Sequence, residues 1–190
     1  MPVNKPRQTS RCPITPEAPF YRNVKALIND LDGQEAIYIP VESHPTAKVS
    51  ECFWNVDRLV EDHGGTPVYG WCIWDWPGYY ARAEHHCIWR MPDGRLVDPT
   101  PKEEGDQRIL FVPDEKATPE VERQRVRVSV WRAEPHSDDA NHLVEISKEF
   151  ERVRYMYHRA EDSSEKASLM NRYRRLDAEI DRIIGKMSLK

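Results

Sequence analysis

The sequence lacks several features that would point to a particular class of protein. Its 190 residues contain no apolar run near the roughly 20 residues that a membrane span needs, and no signal-peptide-like stretch in the first thirty positions. The four cysteines, Cys12, Cys52, Cys72 and Cys87, form no Cys-x-x-Cys pair, which argues against a structural zinc site of the usual spacing. We therefore expect a cytoplasmic protein with reduced thiols and no membrane contact.

Neither sign of charge is in large excess. The 28 basic and 32 acidic residues are mixed along the chain and give a formal net charge of -4. A basic surface of the kind that binds a phosphate backbone is therefore not predicted. We expect no nucleic-acid partner.

Glycine and phenylalanine are scarce, with eight and four residues, whereas there are six tryptophans and eight tyrosines. Four of the tryptophans lie between Trp54 and Trp76. Aromatic side chains with a polar atom often line binding sites, although most of these are expected simply to pack in a sheet. This stretch is the first candidate for a substrate-binding surface.

The chain divides by composition into three segments. Residues 1–20 carry five prolines and few large apolar residues, so we expect an extended arm. Residues 21–134 alternate short patterns typical of helices and strands, which predicts one α+β domain of catalytic type. Residues 135–190 change to a purely helical pattern and predict an appendage.

Two apolar stripes in the last segment predict an antiparallel helical hairpin. Apolar residues recur at steps of three and four within each stripe, and the two stripes are out of phase. Asp162 with Glu165 resembles a capping box, which favours a break near residues 160–163. Gly185 is expected to end the second helix. Basic and acidic residues balance here, and a homodimer or a protein partner would bind through residues 138–188.

Within the second segment we predict an antiparallel β-meander packed on a helix that precedes it in the chain. That helix bears Cys52. In chain order the predicted elements are a helix from Asn23 ended by Gly33, a strand over Gln34–Val41, the helix that begins after Ser50, strands over Val68–Trp76, Tyr80–Arg90 and Leu96–Asp98, and further strands over Arg108–Val112 and Arg125–Trp131.

The stretch Tyr80–Thr100 predicts a hairpin that brings functional side chains together. Residues 91–94, Met-Pro-Asp-Gly, have the chemistry of a type I turn followed by a left-handed glycine. With a three-residue loop, alternation of side chains puts His86 and Asp98 on one face and His85 on the other. Diagonal neighbours on one face can share a hydrogen bond. If the loop has an even number of residues, His85 takes the place of His86.

Cys52 is the candidate nucleophile. Ser50 can cap the helix that follows it, which places Cys52 in the first turn. There the free backbone N–H groups and the positive end of the helix dipole favour a thiolate, the form that attacks carbonyl carbon. A lone cysteine in an amphipathic helix is more often a small core residue, and we expect Cys72 and Cys87 to be of that kind.

The order Cys52, His86, Asp98 resembles the core of the transglutaminase-like and papain-like superfamily, which includes the arylamine N-acetyltransferases. The family segments His-x-x-x-Trp and Gly-x-x-x-Asp-x-Thr are similar to His85–Trp89 and Gly94–Thr100. The resemblance covers about residues 50–100. It implies that Cys52 is the nucleophile, that His86 takes its proton and later protonates the leaving group, and that Asp98 holds the imidazole tautomer.

The oxyanion hole is where the sequence departs from this pattern. Residues 43–51 lack the glutamine that papain-like enzymes place before the cysteine. The backbone N–H of Cys52 would have to serve, together with an indole N–H of one of the tryptophans. The residues predicted to contact substrate are Trp54, Asn55, Trp71, Trp74 and His85.

These inferences predict a cysteine-dependent acyl-transfer enzyme. Its simplest reaction is hydrolysis of an amide, isopeptide or thioester bond in a peptide or small acyl substrate, through a Cys52 acyl-enzyme and without a cofactor. Two alternatives remain open. One is a non-catalytic binding module with a tryptophan-rich groove and a partner-recruiting helical hairpin. The other is a metal-binding protein that uses a subset of Cys52, Glu84, His85, His86, Cys87 and Asp98.

Overall fold

The protein is described here by a computed structural model that covers residues 13–19, 21–31, 35–102, 105–117 and 127–187. Within these ranges the helices are α1 (Arg22–Asp30), α2 (Cys52–His63), α3 (Asp138–Arg159) and α4 (Ser163–Met187). The strands are β1 (Ile37–Pro40), β2 (Thr66–Trp76), β3 (Tyr80–Arg90), β4 (Leu96–Val97), β5 (Arg108–Pro113) and β6 (Val130–Ala133). The predicted α+β class is confirmed.

The strands form one sheet in the order β1-β5-β2-β3-β4, and β6 pairs with β3. The predicted meander of β2, β3 and β4 is therefore confirmed, whereas β5 inserts between β1 and β2 and pairs antiparallel with both. The ends of β1 and β4 also meet. Val41 bridges Asp98, and the Asp98 N–H donates to the Pro40 carbonyl oxygen at 2.9 Å. Backbone contacts thus join β1 and β4, the two strands at opposite ends of this order.

The two faces of this sheet bury different residues. Both α1 and α2 pack on one face, where α2 lies against Cys87 and Trp89 of β3. Because side chains alternate along a strand, His86 points to the opposite, enclosed face, and His85 points towards the helices. The buried apolar residues of the enclosed face are Ile39, Cys72, Ile88, Ile109 and Phe111.

The hairpin between β3 and β4 has the predicted register. Trp89 pairs with Val97, and the Met91 N–H donates to the Arg95 carbonyl oxygen at 2.9 Å. Gly94, at φ +89°, closes the turn in the left-handed region that glycine tolerates. The three-residue loop is confirmed.

Several predicted boundaries are wrong. β1 is shorter than Gln34–Val41, and α1 ends at Asp30, while the predicted stop at Gly33 lies outside the described residues. Residues 127–129 are not part of a strand, and Arg127 forms an ion pair with Asp114 at 2.5 Å. β6 begins only at Val130, and residues 125–126 lie outside the described ranges.

The described part of the N-terminal arm, residues 13–19, runs along the sheet. Ile14 and Asp75 of β2 exchange two backbone hydrogen bonds of 2.9 Å. The Thr15 hydroxyl donates to the Arg108 carbonyl oxygen at 3.0 Å, and the Tyr38 hydroxyl donates to the Pro16 carbonyl oxygen at 2.7 Å. The rest of the predicted arm, residues 1–12 and 20, lies outside the described ranges.

The chain forms two compact units, one up to Pro77 together with Ala81–Val130, and one of Gly78–Tyr80 together with Trp131 onward. In the second unit α3 and α4 form the predicted antiparallel hairpin, and Lys186 near the end of α4 pairs with Asp139 near the start of α3 at 2.6 Å. The apolar residues that join the two helices include Val153, Tyr157, Ala160, Leu169, Tyr173 and Leu176.

The predicted break between these helices is confirmed, since the Asp162 carboxylate accepts the Glu165 N–H at 2.8 Å. Gly185 does not end α4, which continues to Met187. A glycine inside a helix costs only about 1 kcal/mol, so the helix runs through it. No helix of the described residues is long and apolar enough to span a membrane.

Gly65 combines a left-handed backbone with no room for a side chain. It has φ +84°, and a Cβ there would lie 2.3 Å from the Arg90 carbonyl oxygen and 2.8 Å from the Trp89 indole nitrogen. We expect Gly65→Ala to lower the free energy of unfolding by about 3 kcal/mol or more, through backbone strain plus this clash. Denaturant unfolding of the full chain measures the change.

Gly94→Ala is the matched control. Gly94 has a similar φ of +89°, but a Cβ added there would meet no heavy atom within 4 Å. It should therefore show only the strain, about 1–2 kcal/mol. If Gly65→Ala and Gly94→Ala lose the same free energy of unfolding, the close contact of position 65 with β3 is not a major cause of the loss.

Candidate active site

His86 and Asp98 form the centre of the site. The His86 Nε2 atom lies 2.8 Å from Asp98 Oδ2, and both side chains are almost fully buried. Their positions follow from the hairpin register, because His86 faces inward on β3 and Asp98 comes directly after β4. The backbone of Asp98 is fixed at the same time by its hydrogen bonds to Pro40 and Glu42. The backbone that carries the carboxylate is thus fixed against the end of β1 and the residues that follow it.

Lys102 also contacts this carboxylate, and it was not identified from the sequence. Its Nζ atom lies 2.6 Å from Asp98 Oδ2 and 3.5 Å from His86 Nε2, and its side chain is only 7% exposed. The other carboxylate oxygen, Oδ1, accepts the Thr100 N–H at 2.9 Å. In the sequence, Lys102 looks like an ordinary solvent-exposed lysine. Nothing in the neighbouring residues indicates that it is buried against Asp98.

The charges of this cluster stabilise one another. Burial disfavours an imidazolium, but the Asp98 carboxylate and the Cys52 side chain outweigh it and raise the pKa of His86 to about 10. Burial likewise acts to raise the pKa of Asp98, but His86 and Lys102 hold it at about 2. Burial opposes a charged Lys102, yet the Asp98 carboxylate raises the pKa of Lys102 above its ordinary value. At neutral pH all three groups are therefore ionised.

Cys52 completes the cluster as the first residue of α2. Its side chain is 8% exposed and is one of the groups that raise the pKa of His86. The hydrogen bond from Asn55 to Thr100 places the start of α2 beside the segment that follows β4, where the His86–Asp98 pair lies. Because Nε2 of His86 is engaged by Asp98, Nδ1 is the ring nitrogen that remains for the sulfur. The structure thus brings Cys52, His86 and Asp98 together in the predicted order.

The start of α2 differs from the prediction that Ser50 caps it. Ser50 has φ +61°, the N-cap residue is Glu51, and no side chain caps the helix there. The reason lies in Asn55, whose side chain accepts the Lys48 N–H at 3.0 Å and donates to the Lys48 carbonyl oxygen at 2.8 Å. This double clamp turns the chain sharply before the helix, so Ser50 cannot reach the capping position.

Asn55 is one of the residues predicted to contact substrate, and the structure places it in this internal clamp. It is buried, and its Nδ2 atom also donates to the Thr100 hydroxyl at 3.1 Å. Because the Thr100 N–H binds Asp98, the clamp links the segment before Cys52 to the segment that carries the carboxylate. Asn55 therefore connects the two halves of the site.

His85 lies on the opposite face of β3 from His86, towards the helices. Its ring is 5.1 Å from the ring of Phe53 and 5.5 Å from that of Trp71. Burial, followed by the positive charges of Arg127 and His86, lowers the pKa of His85 to about 4. His85 is therefore neutral at pH 7, and it is His86 that contacts Asp98.

The three tryptophans predicted to bind substrate do not share one groove. Trp71 belongs to the helix-covered face of β2, whereas Trp74 packs against the enclosed face. The Trp74 indole N–H donates to Glu84 Oε2 at 2.9 Å. Trp54, on α2, is 71% exposed.

A cleft of about 360 Å³ lies near the site without including Cys52 or His86. Its walls are the segment after β1, the helix α2 at Leu59, and the hairpin, and its lining residues are Glu42, Ser43, His44, Pro45, Leu59, Trp89, Met91, Val97 and Pro99. Within the described ranges no group of three or more His, Cys, Asp and Glu side chains is arranged to hold a metal ion.

The arrangement can support nucleophilic chemistry, since a thiol contacts an imidazolium whose other nitrogen is held by a buried carboxylate. Comparison with known proteins adds no relative from which to infer more. No protein-family model, no curated protein and no solved structure matches this chain.

Proposed function

We propose that this protein is a cysteine-dependent acyl-transfer enzyme that hydrolyses amide, isopeptide or thioester bonds. The observation that carries the proposal is the contact of Cys52, at the first residue of a helix, with a His86 ring that Asp98 holds by its other nitrogen. The resemblance of residues 50–100 to the transglutaminase-like and papain-like superfamily agrees with this. A cytoplasmic location suits the chemistry, because the thiol must stay reduced.

The reaction begins with attack of the Cys52 sulfur on the carbonyl carbon of the substrate. A carbon–sulfur bond forms and the carbonyl oxygen becomes an oxyanion. When this intermediate collapses, the bond to the leaving amine or thiol breaks and the leaving group takes a proton from His86. The neutral ring then accepts a proton from water as the water oxygen attacks the thioester. Release of the acid restores the Cys52 thiolate and the His86 imidazolium.

The uncapped start of α2 is the candidate oxyanion-binding site. Because Glu51 makes no side-chain cap, the N-cap residue leaves the N–H groups of the first turn, which begins at Cys52 itself, available to a ligand. Their dipoles point to the carbonyl oxygen of a substrate attached to the sulfur. This replaces the glutamine that papain-like enzymes use. It does not require Trp74, whose indole N–H is already engaged by Glu84.

Iodoacetamide labelling of the full chain at about pH 6–7 tests the nucleophile, with the labelled peptide identified by mass spectrometry. We expect Cys52 to react about tenfold or more faster than an unperturbed thiol. Cys72 and Cys87 serve as internal controls, because burial raises the pKa of each thiol well above its ordinary value and each is only 1% exposed. If Cys52 reacts no faster than a free thiol, the proposal fails.

The neighbouring histidines provide a matched pair of variants for the same measurement. His86→Gln removes the imidazolium that stabilises the thiolate and should slow labelling of Cys52 about tenfold or more. His85→Gln changes the adjacent residue of the same strand on its other face and should leave the rate unchanged. Equal effects of the two variants would indicate a general disturbance of β3 instead of a Cys52–His86 pair.

One observation favours a non-catalytic binding module as the second candidate. Trp54 exposes 71% of its surface, and exposed tryptophans are enriched where proteins bind partners or ligands. In that case the helical hairpin of α3 and α4 would recruit a partner. Cys52→Ala separates the two functions, because an enzyme keeps ligand binding but loses turnover, whereas a binding module is unaffected.

A further inference from the structure

Lys102 is a buried cation that the proposed reaction does not use. Lysine side chains are almost never buried unless they are paired, and Lys102 is paired with the same carboxylate oxygen that binds His86. It reaches this position from the segment after β4, through Pro99 and Pro101, which restrict the backbone. Asp98 Oδ2 therefore has two cationic partners at 2.6 and 2.8 Å.

The charges of the site do not balance without a further anion. His86 and Lys102 supply two positive charges, and Asp98 supplies one negative charge. A net positive charge in an enclosed site is unfavourable unless an anion neutralises it. Cys52, which is buried at the start of α2 and acts on His86, is the group beside the cluster that can supply this anion.

The other titratable groups that face the cluster do not supply it. Cys72 of β2 lies close to Lys102, but burial raises the pKa of its thiol well above the ordinary value, so it is neutral. Glu84 of β3 is neutralised by Arg82 at 3.0 Å. The balancing negative charge is therefore expected from Cys52 or from a bound substrate oxyanion.

We propose that Lys102 is a positioning residue that keeps Cys52 in the thiolate form by sharing Asp98 with His86. Without Lys102, the His86–Asp98 pair is already neutral and a thiolate adds an unbalanced charge. With Lys102 present, a Cys52 thiolate and the Asp98 carboxylate balance the two positive charges of His86 and Lys102. The Nζ atom of Lys102 also lies 3.5 Å from His86 Nε2, so Lys102 is next to both members of the pair. This inference rests on the proposed function.

Ultraviolet thiolate absorbance between about pH 4 and pH 10 tests the role of Lys102, each protein being measured against its own Cys52→Ser version. Lys102→Gln keeps an N–H donor for Asp98 but removes the charge, and Lys102→Arg keeps the charge. We expect Lys102→Gln to raise the midpoint of the Cys52 titration by about 1 pH unit or more, a tenfold loss of thiolate below the midpoint. Lys102→Arg should stay close to the wild type.

Lys102→Met, which fills the same space without charge or donor, is the second variant, and cooperative thermal unfolding verifies that each protein folds. An unchanged midpoint in folded Lys102→Gln or Lys102→Met, with lower thermal stability only, would overturn the inference and leave the proposed function intact. A wild-type Cys52 that titrates like a free thiol would overturn both. A shift in Lys102→Arg as large as that in Lys102→Gln would also overturn it, because the charge would then not be the cause.

Discussion

Replacing Asp98 with asparagine lowers the free energy of unfolding at pH 7 by about 3–5 kcal/mol, the loss expected when one partner of a buried ion pair is removed. The asparagine keeps the shape of the side chain and its hydrogen bond from the Thr100 N–H. It removes the only negative charge that faces both His86 and Lys102 among the described carboxylates. Denaturant unfolding of the full chain measures the loss.

The same substitution affects the proposed chemistry. With no carboxylate at Oδ2, His86 loses the group that holds its tautomer and stabilises its protonated form. We expect acyl transfer by Cys52 to fall about 10³–10⁴-fold, the loss found when a triad acid becomes an amide. Labelling of Cys52 by iodoacetamide at neutral pH should slow as well.

Asp93→Asn is the matched control on the same hairpin. Asp93 also pairs with a basic residue, Arg95, at 2.9 Å, but both side chains are more than half exposed. Surface pairs of this kind contribute little to stability, so the variant should unfold and react like the wild type. If Asp98→Asn and Asp93→Asn behave alike, the buried cluster is not what stabilises this part of the protein.

The relation of His86 to Asp98 could be predicted from the sequence because it depends on local chemistry. The Pro-Asp-Gly turn at residues 92–94 sets the length of the loop, and the alternation of side chains then decides which histidine shares a face with Asp98. The break between α3 and α4 was predictable for the same reason, since Asp162 and Glu165 act within one turn. Each feature is determined by residues that are neighbours in the chain.

Other features depend on residues far apart in the chain and were missed. Nothing near β5 indicates that it inserts between β1 and β2, because that position depends on which strand edges remain unpaired. The left-handed backbone of Ser50 results from the Asn55 clamp and not from the capping preference of serine. Lys102 joins the site because the chain that follows β4 passes beside the end of β1, where Val41 bridges Asp98.

In a Cys52→Ser protein, which has no thiol to titrate beside His86, the two adjacent histidines of β3 should give a maximum of stability near pH 6.5. His86 has a folded-state pKa raised from 6.5 to about 10, so the folded state binds one proton more than the unfolded state between these values. Its contribution is fully present below pH 6.5 and is lost as the pH rises to about 10. The slope is a loss of about 1.4 kcal/mol per pH unit.

The acid side should show the opposite sign. The pKa of His85 is lowered from 6.5 to about 4, so between these values the unfolded state binds the extra proton and stability falls as the pH falls. His85 is partly exposed, and solvent screening makes this slope shallower than that of His86. Below about pH 4 the protonation of Asp98, whose folded-state pKa is about 2 against 3.8, adds a further loss.

Denaturant unfolding between about pH 4 and pH 9 separates the two contributions when Cys52→Ser is compared with the same protein carrying His86→Gln or His85→Gln. His86→Gln should abolish the alkaline slope and leave the acid slope, whereas His85→Gln should do the reverse. The other titratable group in direct contact with both His86 and Asp98 is Lys102, which stays charged across this range and so cannot produce either slope. An alkaline slope that survives in His86→Gln would mean that another group causes it, and would contradict a His86 proton held by Asp98.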